Sequence, residues 1–233
     1  MKTQFHKILS RFSILLLIML FLPAGRLSAQ NISFGIFADP VISWFSTNNK
    51  ETKNDGARAG FNFGFTFNRY FANNYAFSTG INILNAGGRL INMRTDSIDM
   101  KFNNLPAKVP PGQAVVYKIQ YLSIPVGLKF KSNQIGYITF FSDLGIDPKV
   151  VLGGKADIPS RDIKGEAAMN ELRRFNMAYH IMAGIEYSLG GSTAMVFGIG
   201  FENNFLDNTK DILNQTIDKV TLKILKFRIG VNF

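Results

Sequence analysis

Three observations predict an all-β fold, an eight-stranded antiparallel up-and-down barrel of the transmembrane, outer-membrane type. Apolar and small or polar residues alternate with period two along eight segments. The connections between those segments alternate long and short. Charged residues make up only 18% of the 233-residue chain, beside 22 Phe and 21 Gly, where a soluble domain carries about a quarter charged residues. Such a chain shows apolar surface to something other than water.

The alternation is clearest over residues 59–68. Ala59, Phe61, Phe63, Phe65 and Phe67 hold the odd positions, and Gly60, Asn62, Gly64, Thr66 and Asn68 the even ones. Successive side chains of a strand point to opposite faces, so one face is apolar and the other small and polar. The first strand begins with Ile32, Phe34 and Ile36 against Ser33 and Gly35, and the third runs from Tyr75 to Ile83 in the same manner. Residues 175–187, 195–202 and 225–233 repeat the pattern, the last as Leu225, Phe227, Ile229, Val231 and Phe233 against Lys226, Arg228, Gly230 and Asn232. Two strands are less regular. In residues 117–130 the apolar phase moves from Tyr117, Ile119 and Tyr121 to Leu122, Ile124, Val126 and Leu128, which predicts a bulge near Ser123 to Pro125. Residues 135–144 are apolar partly on both faces.

Residues 46–57, 86–115, 147–173 and 206–221 read as the longer loops, and 69–74, 131–134 and 188–192 as tight turns. Membrane barrels have this asymmetry, with short periplasmic turns and longer extracellular loops, and an even strand number leaves both termini in the periplasm. The third loop holds Asn170 to Arg174, which suggests a short helix.

Parity decides which face is inside. The interior of an eight-stranded barrel is just wide enough for side chains to fill. The row Phe61, Phe63, Phe65 and Phe67 would overfill it, so these residues, with Phe227 and Phe233, are expected to face lipid. Trp44, Tyr70, Tyr75, Tyr117 and Tyr187 are expected in the interfacial girdles. By the same parity Asp39, His180, Glu186, Glu202, Lys226 and Arg228 point into the lumen, where buried charges must pair. Strand spacing sets His180 beside Glu186.

Residues 1–29 read as a removable signal peptide, leaving a barrel domain over residues 30–233. Lys2, Lys7 and Arg11 precede an apolar run at residues 14–22, Pro23 and Gly25 break it, and the expected cut lies between Ala29 and Gln30. That run is far shorter than the roughly twenty residues of a spanning helix.

Other chemistries find little footing. There is no Cys, which removes thiolate metal sites and a Cys nucleophile. Of the 26 basic residues, four (Lys2, Lys7, Arg11 and Arg26) lie in the leader. The remaining 22 against 16 acids form no cluster with interleaved aromatics, so no nucleic-acid partner is expected. A lipid-modifying enzyme needs a His with a Ser and a carboxylate near the lipid face. The mature part has one His, His180, on the inward parity. Neither enzymatic activity nor a cofactor is expected.

Several segments resemble the Bacteroidetes family of small outer-membrane barrels that includes PorT of the type IX secretion apparatus. They are Ser28-Ala29-Gln30, Gly35-Ile36-Phe37-Ala38-Asp39-Pro40-Val41-Ile42-Ser43-Trp44, Asn74-Tyr75-Ala76-Phe77-Ser78-Thr79-Gly80 continuing to Gly87-Gly88-Arg89-Leu90, and Tyr121-Leu122-Ser123-Ile124-Pro125-Val126-Gly127-Leu128-Lys129-Phe130. Ser123 stands where an acidic residue is common in that family. The resemblance implies a non-enzymatic accessory of type IX secretion or envelope assembly. Its implied partners are outer-membrane lipid, secretion components, and the assembly machinery that reads a terminal aromatic such as Phe233. A structural or adhesion barrel with partner-binding loops is the alternative, ahead of a lipid-modifying enzyme.

Overall fold

In the computed structural model, the described residues are 32–48, 51–101, 106–210 and 219–233. The expected leader and its cut at Ala29 and Gln30 lie outside them.

The strands are β1 (Ile32–Thr47), β2 (Thr52–Gly56), β3 (Arg58–Ala72), β4 (Tyr75–Asn92), β5 (Ile98–Lys101), β6 (Pro106–Val109), β7 (Ala114–Ser123), β8 (Val126–Lys131), β9 (Ile138–Ile158), β10 (Ile163–Ala167), β11 (Phe175–Gly190), β12 (Thr193–Asn204) and β13 (Val220–Asn232). Eight staves close a ring of antiparallel neighbours: β1, β3, β4, β7 continued by β8, β9, β11, β12 and β13, with β13 returning to β1. Closure pairs the backbone without an exposed sheet edge. Three tight turns join the staves at one end, at Asn73 and Asn74, at residues 132–137, and at Gly191 and Ser192 just after Gly190. Gly190 and Gly191 have φ of 108° and 60°, which only glycine adopts freely.

The staves run further past the loop end than the pattern predicts. β9 continues to Ile158 and turns back into β10, so much of the expected 147–173 loop is hairpin. The 86–115 connection holds the end of β4 and the separate β5–β6 hairpin, and residues 46–57 contain β2. The expected helix at Asn170 to Arg174 is instead a turn in which Leu172 bridges to Thr209.

The expected bulge near Ser123 is absent, and its absence is instructive. Ser123 faces Asn82 and Val126 faces Thr79, so register continues through Ile124 and Pro125 with only the ladder interrupted. The irregularity of this wall lies between Gln120 and Tyr121 where β7 meets β9. Tyr117, Ile119, Tyr121, Ser123 and Lys129 are all buried. Orientation therefore never flips along this stave. What changes is the interior itself, from apolar at the loop end to polar at the turn end.

The staves β1, β4, β7 with β8, β9 and β13 show this reversal. Near the turn end, large apolar side chains face outward: Phe34 and Ile36 on β1, Phe65 on β3, Phe77 on β4, Phe140 on β9, Ile229 on β13. Past Trp44, Leu122 and Leu225 the outward positions turn polar (Ser46, Gln120, Lys223), and Phe45, Tyr117, Ile119, Leu222 and Ile224 fill the inside. From Phe34 to Trp44, ten steps at about 3.3 Å on a stave tilted about 45° give an apolar belt roughly 23 Å tall. The apolar interior above it forms a head. Ile98, Met100, Ala107 and Val109 of the β5–β6 hairpin cap that head, and Phe45 meets Tyr117 edge-on at 5.9 Å.

Candidate functional site: the barrel lumen

The inward face of the belt holds a layered ionic network. Nearest the turns, Glu186 accepts from Lys129 at 2.6 Å and Asn232 at 2.9 Å, and pairs with Lys131 at 2.5 Å. Above it, the Arg228 guanidinium donates two bonds to Asp39, at 3.0 and 2.9 Å, a fork geometry that fixes both groups. Asn62 donates to the same carboxylate at 2.9 Å, and Asn82 to Asn62 at 2.6 Å. Across the lumen His180 lies between two β9 carboxylates, Nδ1 at 2.8 Å from Asp147 and Nε2 at 3.3 Å from Asp143. Ser78 donates to Asp143 at 3.1 Å. Toward the head, Glu202 pairs with both Lys149 and Lys226. Lys149 also donates to Asn204 at 3.2 Å and lies over the Tyr121 ring. A cluster of Asn176, Asn204 and Asn208 with the Tyr121 hydroxyl then gives way to the apolar head.

These five carboxylates (Asp39, Asp143, Asp147, Glu186, Glu202) are matched by five cations (Lys129, Lys131, Lys149, Lys226, Arg228), and His180 turns both ring nitrogens to carboxylates among them. Such a balance suits a low-dielectric interior, where an uncompensated charge is costly. The space left over is small. One cavity of about 40 Å³ is lined by groups including Asp143, Asp147, His180, Lys226 and Arg228. A second, of about 20 Å³, is lined in part by Asn68, whose side-chain amide has no protein partner. About 10–15 Å³ of such space holds one water, so the two are sized for a few trapped waters.

Glycines make room for this packing. Gly184 and Gly198 are cross-strand partners beneath the Phe141 ring, and a Cβ on Gly184 would sit 2.7 Å from that ring.

Six residues expected in the lumen, Asp39, His180, Glu186, Glu202, Lys226 and Arg228, sit inside the ring with the partners just given. Their grouping differs from expectation. His180 does not meet Glu186, because it reaches across the seam to β9, while Glu186 is taken by Lys129 and Lys131. Asp147 and Lys149 were missed because the sequence reading ended that strand at residue 144, and Asp143 because residues 135–144 gave no clear parity. Their signal was present, since they alternate with Leu144, Ile146, Pro148 and Val150. Lys129 likewise alternates with Leu128 and Phe130. On the outside, Phe61, Phe63, Phe65 and Phe233 are exposed, and Phe67 and Phe227 are partly exposed. Of the expected girdle residues, Tyr75 and Tyr187 are exposed and Trp44 partly so. Tyr117 is buried in the head core, and Tyr70 turns inward beneath Lys131. Tyr137 and Tyr179 are exposed on the outer face instead.

A closed ring of eight strands with an apolar belt outside and a satisfied ionic lumen inside defines a small transmembrane β-barrel. The chain belongs to the outer membrane protein beta-barrel domain family, which matches residues 28–231, and the outer membrane is accordingly its place. Similar solved structures include Neisserial surface protein A, at 12% identity and a TM-score of 0.47 over 85% of this chain and 95% of that one. Ail, the attachment invasion locus protein of Yersinia pestis, aligns at 13% identity and 0.40 over 87% and 99%. The outer membrane protease OmpT of Escherichia coli aligns at 10% and 0.44 over 88% and 97%. No curated protein matches the sequence.

Proposed function

We propose that the protein is a non-enzymatic, non-conducting barrel, a PorT-like accessory of type IX protein secretion or envelope assembly. In this reading both termini are periplasmic, the long loops are extracellular, and secretion components are its partners after the assembly machinery has inserted it. The observation that carries it is the filled lumen: ion pairs through the belt and an apolar, hairpin-capped head above. A barrel sealed in this way offers a scaffold rather than a path. His180, held between Asp143 and Asp147, serves that ionic packing. The sequence resemblance supplies the secretion role.

The test is a clean deletion strain scored for type IX cargo, with the purified protein examined in planar bilayers. The expected result is cargo held in the periplasm, intact general membrane integrity and no channel conductance. Unchanged secretion removes the type IX role, and steady conductance removes the sealed scaffold. The packed head also favours a second reading, a surface barrel whose loops bind a partner. Loss of adhesion on trimming the β5–β6 hairpin, with secretion unchanged, would select it.

A further inference from the structure

The two rims of the apolar belt differ in charge. Among the described residues the turn end carries one outward charge, Arg69, and its three turns carry none. The loop end carries Arg89, Lys118, Lys155 and Lys223 on outward positions just past the belt, Arg89 in an ion pair with Asp55.

Two of these cations are set against each other. Lys118 of β7 and Lys155 of β9 are direct cross-strand partners. That spacing holds their Cβ atoms about 5 Å apart, where like charges repel. Asp157 pairs with Lys118 from the loop side, and Lys155 makes no ion pair among the described residues. One step nearer the belt, Gln120 donates to Asn85 at 3.3 Å, both side chains reaching the surface of the same wall. Beneath them lie Ile83, Leu122 and Leu152, with Leu152 half exposed. From the loop side downward the wall therefore presents two opposed ammonium groups, an amide pair and an apolar strip. Lysine stems lie along apolar surface while their heads stay at polar depth, so both ammonium groups can come down to headgroup level.

We infer that this patch of the β4–β7–β9 wall binds the phosphate of a phosphorylated glycolipid in the facing leaflet. An anion between Lys118 and Lys155 turns their repulsion into a shared attraction, the amides donate to sugar or ester oxygens, and the acyl chains lie on the strip below. The inference rests on the orientation proposed above, which sets this rim outward. The near absence of charge at the turn rim points the same way, since an equally anionic leaflet there would find no matching cations.

The test uses the full mature protein in phosphatidylcholine nanodiscs carrying phosphorylated lipid A, with retained lipid A read by native mass spectrometry. Each surface lysine contributes about fivefold to anionic lipid binding, so Lys118→Gln with Lys155→Gln lowers retention roughly 25-fold. Lys118→Arg with Lys155→Arg keeps it, as does Lys164→Gln, a change in the exposed β9–β10 hairpin. Both lysines face outward and their removal relieves repulsion, so the variants fold. Equal retention of dephosphorylated lipid A, equal retention by the double Gln variant, or displacement by millimolar inorganic phosphate would each overturn the inference. Orientation is read separately by labelling Lys164→Cys on intact cells. Labelling only after the cells are opened sinks the orientation, while the nanodisc result still decides the phosphate site.

Discussion

Replacing Glu202 with alanine lowers unfolding stability by about 3–5 kcal/mol, because it strands Lys149 and Lys226 in the lumen without their shared counter-charge. Lys149 is 1% exposed, Glu202 1% and Lys226 7%, so water cannot take over the lost role. The ionic layer need not be a large net source of stability, since a buried pair roughly breaks even against an apolar replacement of the same shape. The asymmetry lies in removing one partner. The measurement is a urea titration of the protein folded into lipid vesicles. Asp99→Ala is the control. Its 3.8 Å contact with Lys108 is exposed on the head hairpin, and such pairs are worth about 0–1 kcal/mol. Equal losses for the two variants would mean that the lumen charges are solvated from an open channel.

Phe65→Arg is the second large effect, and its sign separates a membrane barrel from a soluble one. Phe65 is 62% exposed near mid-height of the belt. On a water-soluble surface that exchange would be close to neutral. In a bilayer it costs about 2–4 kcal/mol at the midplane, falling to about 0–1 near the interfaces. Phe71→Arg, on the same stave at the turn rim and 57% exposed, should cost at most the smaller amount. Vesicle-folded stability of the pair reads both the sign and the depth dependence. Matching values at the two positions would contradict the belt.

The architecture was legible because a barrel wall writes its two faces into alternate residues. Residues 59–68 and 225–233 declare parity without help, and three short polar turns show where the wall folds back. The parity signal fails where the interior changes character. In residues 117–130 the apolar phase moves although no side chain changes sides, because Tyr117, Ile119 and Tyr121 fill a head core while Leu122, Ile124 and Val126 belong to the outer wall. A local reading takes that exchange for a bulge. The same cause hid the upper part of β9, whose outward Lys155 and Asp157 resemble loop residues until Ala156 and Ile158 are seen buried between them. The lumen members on β1, β11, β12 and β13 were visible from parity alone. Their pairing was not, because spacing along one strand says nothing of neighbours on the strands beside it or across the lumen. That is why His180 was set beside Glu186 rather than between Asp143 and Asp147.

The central claim is that the aromatic rows face lipid while their alternate neighbours face a sealed, polar lumen. The absence of native cysteine lets single cysteines be introduced without interference. The most direct measurement places spin labels in turn at Asn62, Phe63, Phe65, Thr66, Phe67 and Asn68 of the protein in lipid vesicles, and compares collision with oxygen, which concentrates in the bilayer, and with a water-soluble nickel chelate. The account predicts high oxygen accessibility at 63, 65 and 67, and protection from both reagents at 62, 66 and 68. Oxygen accessibility at the even positions, or chelate access along either face, would contradict it.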